Sequence, residues 1–180
     1  MKKKMLLHSC CGPCSTSVIE KLKDNFDLTI FYYNPNIYPQ EEYIKRLEEQ
    51  KKYVSLTHPE IKIIDGEYLD SQKFLDAYTG LENCKEGGER CKTCIFLRMQ
   101  KTAQYAKQNN YEIFATTLSV SPHKNAQLIN ELGKQLEQDY SIEYLISDFK
   151  KQDGYLNSIK LSKQYNLYRQ KYCGCKYSIY

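Results

Sequence analysis

Met5-Leu6-Leu7-His8-Ser9-Cys10-Cys11-Gly12-Pro13-Cys14-Ser15-Thr16-Ser17-Val18-Ile19 reads as a strand, a tight turn and a helix, with three thiols in the turn. The apolar run Met5–Leu7 supplies the strand, and Val18, Ile19 and Leu22 supply the helix's buried stripe. In α/β units the turn after the first strand is a ligand site, because backbone N–H groups and a helix N-terminus point into the crevice. Two more cysteine clusters lie far along the chain, Cys91-Lys92-Thr93-Cys94 and Cys173-Gly174-Cys175. The fold is expected to bring all three clusters together around a metal.

Beyond this unit, strands and helices alternate. Strands are predicted over 4–9, 28–33, 61–64, 112–116 and 142–146. Helices are predicted over 15–23, 40–55 and 71–78, from Cys91 to the stop at Asn109-Asn110, around Ile129, Leu132 and Leu136, and over 155–165. The continuous run Leu28-Thr29-Ile30-Phe31-Tyr32-Tyr33 suits a strand covered on both faces. Ile44, Leu47 and Val54 are the expected apolar stripe of the second helix, with Arg46 on its solvated face. Phe74 and Leu75 are expected to face inward. The alternation predicts an α/β fold: a single doubly wound domain over 1–180 with a largely parallel sheet and a helical C-terminal region.

Composition narrows the function. The net charge of +4 permits a nucleic-acid partner without demanding one. Met1-Lys2-Lys3-Lys4 imitates a signal peptide, but only three apolar residues follow, short of the roughly 7–15 required. No apolar run approaches the ~18 residues of a membrane span. A cytoplasmic location, without membrane attachment, is therefore expected. Thiols stay reduced there, so the 8 cysteines read as metal ligands or redox groups and not as a disulfide framework. There is no G-x-G-x-x-G and no Walker lysine loop, so ATP or a dinucleotide is not expected.

Cys84 stands alone in a Gly-rich loop and reads as an inert or free thiol. The other cysteines, at positions 10, 11, 14, 91, 94, 173 and 175, have spacings that let adjacent turns present several sulfurs to one point. Zinc sites and iron–sulfur clusters use four ligands each, so one metal centre plus a second metal or a redox pair accounts for them. Cys11-Gly12-Pro13-Cys14 is also a thiol–disulfide oxidoreductase motif, which leaves that activity open. A zinc-binding, RNA-binding module without catalysis is a further alternative.

Two other stretches belong to the ligand end of the sheet. Thr116-Thr117-Leu118-Ser119-Val120-Ser121-Pro122-His123-Lys124-Asn125 gathers hydroxyls, an imidazole, an amine and an amide after a strand. It also reads as a helix start, with Ser121 as cap and Pro122 at the first position. Tyr32-Tyr33-Asn34-Pro35-Asn36 is a turn that can form a second wall. The 17 tyrosines offer stacking surfaces for bases, or simply fill half-buried positions.

Taken together, these motifs resemble a known family. Cys10-Cys11-x-Pro13, Tyr33-Asn34-Pro35-Asn36-Ile37, Arg90-Cys91-x-x-Cys94 with Arg98, Thr116 through Lys124, and Tyr168-Arg169-Gln170-x-Tyr172-Cys173-Gly174-Cys175 are similar to the QueH-type, cobalamin-independent epoxyqueuosine reductases. The resemblance implies an adenine-nucleotide-hydrolase-like (HUP-like) fold, a [4Fe–4S] cluster and one additional metal ion, an iron. It implies removal of the epoxide oxygen from epoxyqueuosine at the wobble position of tRNA, the last step of queuosine biosynthesis, with an external electron donor. Cys11 and Cys14 would then be catalytic metal ligands, and His123, Lys124 or a tyrosine would donate a proton. Tyr33, Asn34, Asn36, Ser119, Ser121, Lys124 and Arg169 are the candidate substrate-binding residues. Adjacent Cys10 and Cys11 diverge from an extended backbone. On that basis Cys10 is expected on the cluster, with Cys91, Cys94 and Cys175, and Cys11 on the single iron, with Cys14 and Cys173; the division of Cys173 from Cys175 is arbitrary.

Overall fold

In chain order the elements are β1 (Lys3–His8), α1 (Gly12–Leu22), β2 (Phe26–Tyr32), α2 (Gln40–Thr57), β3 (Lys62–Asp65) and α3 (Ser71–Ala77). They continue with α4 (Glu89–Gln108), β4 (Ile113–Thr116), α5 (Ala126–Tyr140), β5 (Glu143–Tyr144) and α6 (Gly154–Gln164). The structure is a computed structural model that describes residues 1–179. All strand pairs are parallel, in the order β3-β2-β1-β4-β5. The chain therefore winds outward from β1 in one direction to β3, then crosses back to build β4 and β5 on the other side. The switch point lies between β1 and β4, and a doubly wound sheet opens its ligand crevice there. This is the expected doubly wound, HUP-like α/β arrangement.

Strand alternation explains the two layers. Met5 and Leu7 of β1, Leu28 and Ile30 of β2, and Ile113 and Ala115 of β4 pack with Val18, Ile19 and Leu22 of α1 and with Tyr53 and Val54 of α2. Leu6, Phe31 and Phe114 point the other way, onto Ile95, Met99 and Ala103 of α4 and Ile129, Leu132 and Leu136 of α5. With apolar side chains on both faces, the sheet is buried on both sides, as parallel sheets require.

Several boundaries and faces differ from the sequence expectation. α1 begins at Gly12, three residues early, because Pro13 occupies the first turn, where its missing N–H leaves no helix bond unmade. Cys11 is the residue that caps it, in extended backbone. The helix expected to be capped by Ser121 is capped by Asn125, whose side chain accepts from the Leu128 N–H at 3.2 Å. Ser121 instead ends the 3-10 turn Thr117–Val120. In α2 the buried face is Tyr43, Arg46, Leu47, Gln50, Tyr53 and Val54, whereas Ile44 is 50% exposed. Arg46, expected in solvent, is only 2% exposed. Phe74 faces inward but Leu75 is 37% exposed, since α3 offers only a narrow buried stripe.

Candidate metal centre

The turn after β1 is held on all sides. Ser9 N–H continues the ladder to the Phe31 carbonyl, and Asn34 Nδ2 donates to the Ser9 carbonyl at 2.8 Å. The Ser9 and Ser15 hydroxyls both donate to Gln50 Oε1 of α2, at 2.6 and 2.9 Å. Gly12 lies so close to α2 that a Cβ there would stand 2.8 Å from Gln50 N. Only a residue without a side chain lets α1 and α2 meet at this turn.

Within that frame the sulfurs of Cys10, Cys11 and Cys14 lie within 4.8 Å of one another, with Cys10 to Cys11 at 3.9 Å. A tetrahedral ion with metal–sulfur bonds of about 2.3 Å sets its sulfurs about 3.8 Å apart, so the group fits one metal ion. The Cys10 thiol is held well below its usual range by S–H donation from Cys11 and Cys14. Burial pushes the Cys11 thiol up, and donation to Cys10 pushes the Cys14 thiol up to about 12. A buried nucleophilic thiol with a raised pKa is the opposite of a thioredoxin-type attacking cysteine, which must be accessible and readily ionised.

The C-terminal segment closes the crevice from above. Arg46 donates Nε to Glu42 at 2.7 Å, Nη1 to the Cys173 carbonyl at 2.9 Å and Nη2 to the Tyr172 carbonyl at 3.2 Å. Tyr38 N–H binds the Gly174 carbonyl at 2.7 Å, and the Tyr168 N–H binds Glu49 of α2 at 2.9 Å. Gly174 has φ +132°, a conformation that glycine adopts readily and residues with a Cβ rarely do. This turn faces the N-terminal end of α4, where the Gly87 N–H donates to Cys91 Sγ at 3.2 Å.

Cys91, Cys94, Cys173 and Cys175 consequently line one cavity of about 110 Å³, together with Tyr78, Arg98 and Lys124. Beside it lies a larger crevice of about 580 Å³, lined by Cys10, Cys14, Cys173, Ser121, His123, Arg169 and Gln170. Cys173, Arg98 and Lys124 border both spaces. The fold thus gathers the seven clustered cysteines at the switch point. Cys84 stands apart on the loop before α4, its carbonyl tied by Arg90 Nη1 at 2.7 Å. Cys10 sits with Cys11 and Cys14, Cys91, Cys94 and Cys175 line the second cavity, and Cys173 lines both spaces.

The cations match this donor set. Arg98 is buried and gives only a long bond from Nη1 to Asn34 Oδ1, at 3.5 Å, and one from Nε to the Cys94 carbonyl, at 3.3 Å. Lys124 Nζ stands 3.7 Å from Cys173 Sγ. Burial disfavours both charges, but the sulfurs of Cys94, Cys173 and Cys10 around Arg98, and of Cys173 and Cys10 around Lys124, outweigh it and raise both pKa values. Among the described residues, neither cation has an ion pair with a carboxylate. Buried charge needs a partner, and thiolates bound to a metal would supply it. Burial likewise lifts the Cys94 thiol, against Arg98, and pulls the neighbouring His8 imidazole down to about 4. His8 is accordingly neutral, bonded between Thr116 Oγ1 and the Tyr33 carbonyl.

The candidate substrate residues divide. Ser121, Lys124 and Arg169 line the large crevice, and exposed His123 stands at its rim. Asn36 lines the smaller cavity with its Oδ1 buried and unpartnered. Tyr33, Asn34 and Ser119 line neither space, and their side chains bond within the frame. Tyr33 stacks against Phe31 and donates to Asp70 at 2.7 Å, Asn34 braces Ser9, and Ser119 Oγ accepts the Phe149 N–H at 3.1 Å. Arg46 and Gln170 are the residues that sequence reasoning passed over. Arg46 hides in a charged helix, where its position on the Tyr43–Leu47–Gln50 face was the available signal.

The sheet order and the gathered sulfurs define a doubly wound α/β protein with a cysteine-built, cation-lined site able to hold metal at its switch point. The family profile described as Epoxyqueuosine reductase QueH matches residues 5–180. The chain belongs to that family. The epoxyqueuosine reductase QueH of Staphylococcus epidermidis is 42% identical over 181 residues, covering 97% of this chain and 76% of its own. The protein of that name from Streptococcus pyogenes is 38% identical, covering 99% and 71%. The one from Thermotoga maritima is 36% identical, covering 97% and 90%.

Proposed function

We propose that this chain is an epoxyqueuosine reductase that converts epoxyqueuosine at the tRNA wobble position to queuosine, in the cytoplasm, with electrons from an external donor. The observation that carries the reading is the meeting of three distant cysteine motifs beside two cations, Arg98 and Lys124, that have no carboxylate partner among the described residues. Removing an epoxide oxygen to leave an alkene takes two electrons and two protons and releases water.

Cys10, Cys11 and Cys14, whose sulfurs have single-ion spacing, would hold an iron. Cys91, Cys94, Cys173 and Cys175, spread around the second cavity, would hold a [4Fe–4S] cluster. When bound, the pair supplies one-electron transfers and a Lewis acid for the epoxide oxygen. The chain's own residues do the rest. Lys124 holds a proton at Nζ on the border of the crevice, where it can pass to the departing oxygen. The Arg98 guanidinium stabilises negative charge on the sulfurs of Cys94, Cys173 and Cys10. Arg169, braced by Ser158 and Ser162, faces the crevice as a phosphate or ribose contact.

The test is turnover. Anaerobically iron- and sulfide-loaded protein, given epoxyqueuosine-bearing tRNA and a low-potential reductant, is expected to yield queuosine in nucleoside mass spectra. No conversion with the iron and sulfide in place would refute the reading. Zinc bound without sulfide after anaerobic preparation would favour a non-catalytic tRNA-binding module instead.

A further inference from the structure

Gln170 lies in the C-terminal segment, and its side chain reaches down to the turn after β1. Its Nε2 stands 3.0 Å from Cys11 Sγ and 3.6 Å from Cys14 Sγ, while its Oε1 is buried with no partner. A thiolate only accepts hydrogen bonds, so the amide must turn its NH₂ end to the sulfurs. Leaving the oxygen unpaired is costly, and hydrogen bonds to charged acceptors, stronger than those to neutral ones, offset that cost. The orientation is therefore favourable when Cys11 and Cys14 carry negative charge, as they do on a metal.

We propose that Gln170 is a positioning residue for the Cys11–Cys14 pair, holding both sulfurs as metal-ligating thiolates through N–H···S bonds from outside the coordination sphere. Groups in this position orient ligands and tune the metal they hold. The assignment rests on the metal reading of these cysteines and does not depend on the substrate.

Cobalt(II), titrated anaerobically into protein prepared without metal, tests it. The sulfur-to-cobalt absorption that Cys11→Ser and Cys14→Ser remove reports this pair. Gln170→Met keeps the side chain's length and deletes the N–H group. It is expected to shift that absorption to lower energy, because an unbonded thiolate gives up its electron more readily. Cobalt affinity should fall about 10–100-fold. If the variant unfolds, Gln170→Asn, which withdraws the amide by one methylene, must shift the band and the affinity in the same directions. A folded variant with band and affinity unchanged overturns the assignment while leaving the metal reading intact. A native protein that binds no cobalt through Cys11 and Cys14 overturns both.

Discussion

Arg46 and Cys173 are 127 positions apart in sequence, and the Arg46 guanidinium holds the Cys173 carbonyl at 2.9 Å. That bond, with those to Tyr172 and Glu42, pins the Cys-Gly-Cys turn to α2. Removing one member of a buried charged pair costs about 3–5 kcal/mol. Arg46→Met is therefore expected to lower Tm by roughly 10 °C, given about 2–4 °C per kcal/mol at this chain length. Iron per chain should fall with it. Arg46→Lys keeps the charge but loses the fork, and should fall between the two. An unchanged melting curve for Arg46→Met would break the clamp argument.

Gly12→Ala places a methyl group against the backbone of α2 at Gln50. Overpacking of this kind costs about 1–3 kcal/mol. The expected result is a modestly lowered urea midpoint together with weakened metal binding at the three-sulfur group, because the turn must shift to admit the methyl. Equal midpoints in the two proteins would show that α2 yields freely.

Cys10 sits with Cys11 and Cys14 and does not line the second cavity. Cys10→Ser should reduce binding of the single metal and leave sulfide content near that of the unaltered protein. Cys94→Ser should lower iron and sulfide together. Cys84→Ser should change neither. Iron and sulfide analysis decides, and loss of sulfide in Cys10→Ser would restore the partition expected from sequence.

Lys124→Met removes the proton carried at the border of the crevice. Positioned proton donors contribute about 10²–10⁴ in rate. A kcat loss in that range, with iron and sulfide retained, is expected from single-turnover assays. His123→Ala, at the exposed rim, should lose less than tenfold. The reverse ranking would move the proton donor to His123.

Arg169→Ala should weaken tRNA binding and reduce the slope of log affinity against log salt by about 1, since one phosphate contact is lost. Filter binding over a salt series measures this. An unchanged slope would mean that Arg169 meets the ribose or base instead.

Much of this was legible from residue order. The sequence placed the five strands and six α-helices to within a few residues, because the parallel sheet is made of continuous apolar runs such as Leu28–Tyr33, but not the 3-10 turn Thr117–Val120. The ligand end of the sheet followed from the turn at Cys10–Cys14. Less visible were side chains whose partners come from remote segments. Arg46 looks like one more charge in a helix with many, until the Tyr172 and Cys173 carbonyls arrive to fill its fork. Tyr33, Asn34 and Ser119 sit at strand ends where ligands bind, but neighbouring backbone and Asp70 claim them first. The sulfur grouping depends on how far apart α4 and α1 stand, which spacing along the chain does not encode.

The bond from Gln170 to Cys11 spans 159 positions, and the centre combines sulfurs from β1's turn, α4 and the Cys173–Cys175 turn. During translation the first three thiols therefore emerge long before their partners. A ribosome-bound chain short of Gln170 has Cys10, Cys11 and Cys14 without the Gln170 amide against them. Cys91 and Cys94 can share a cavity with Cys173 and Cys175 only once the segment through Cys175 has been made, so the two ends of the centre become available to metal at different times.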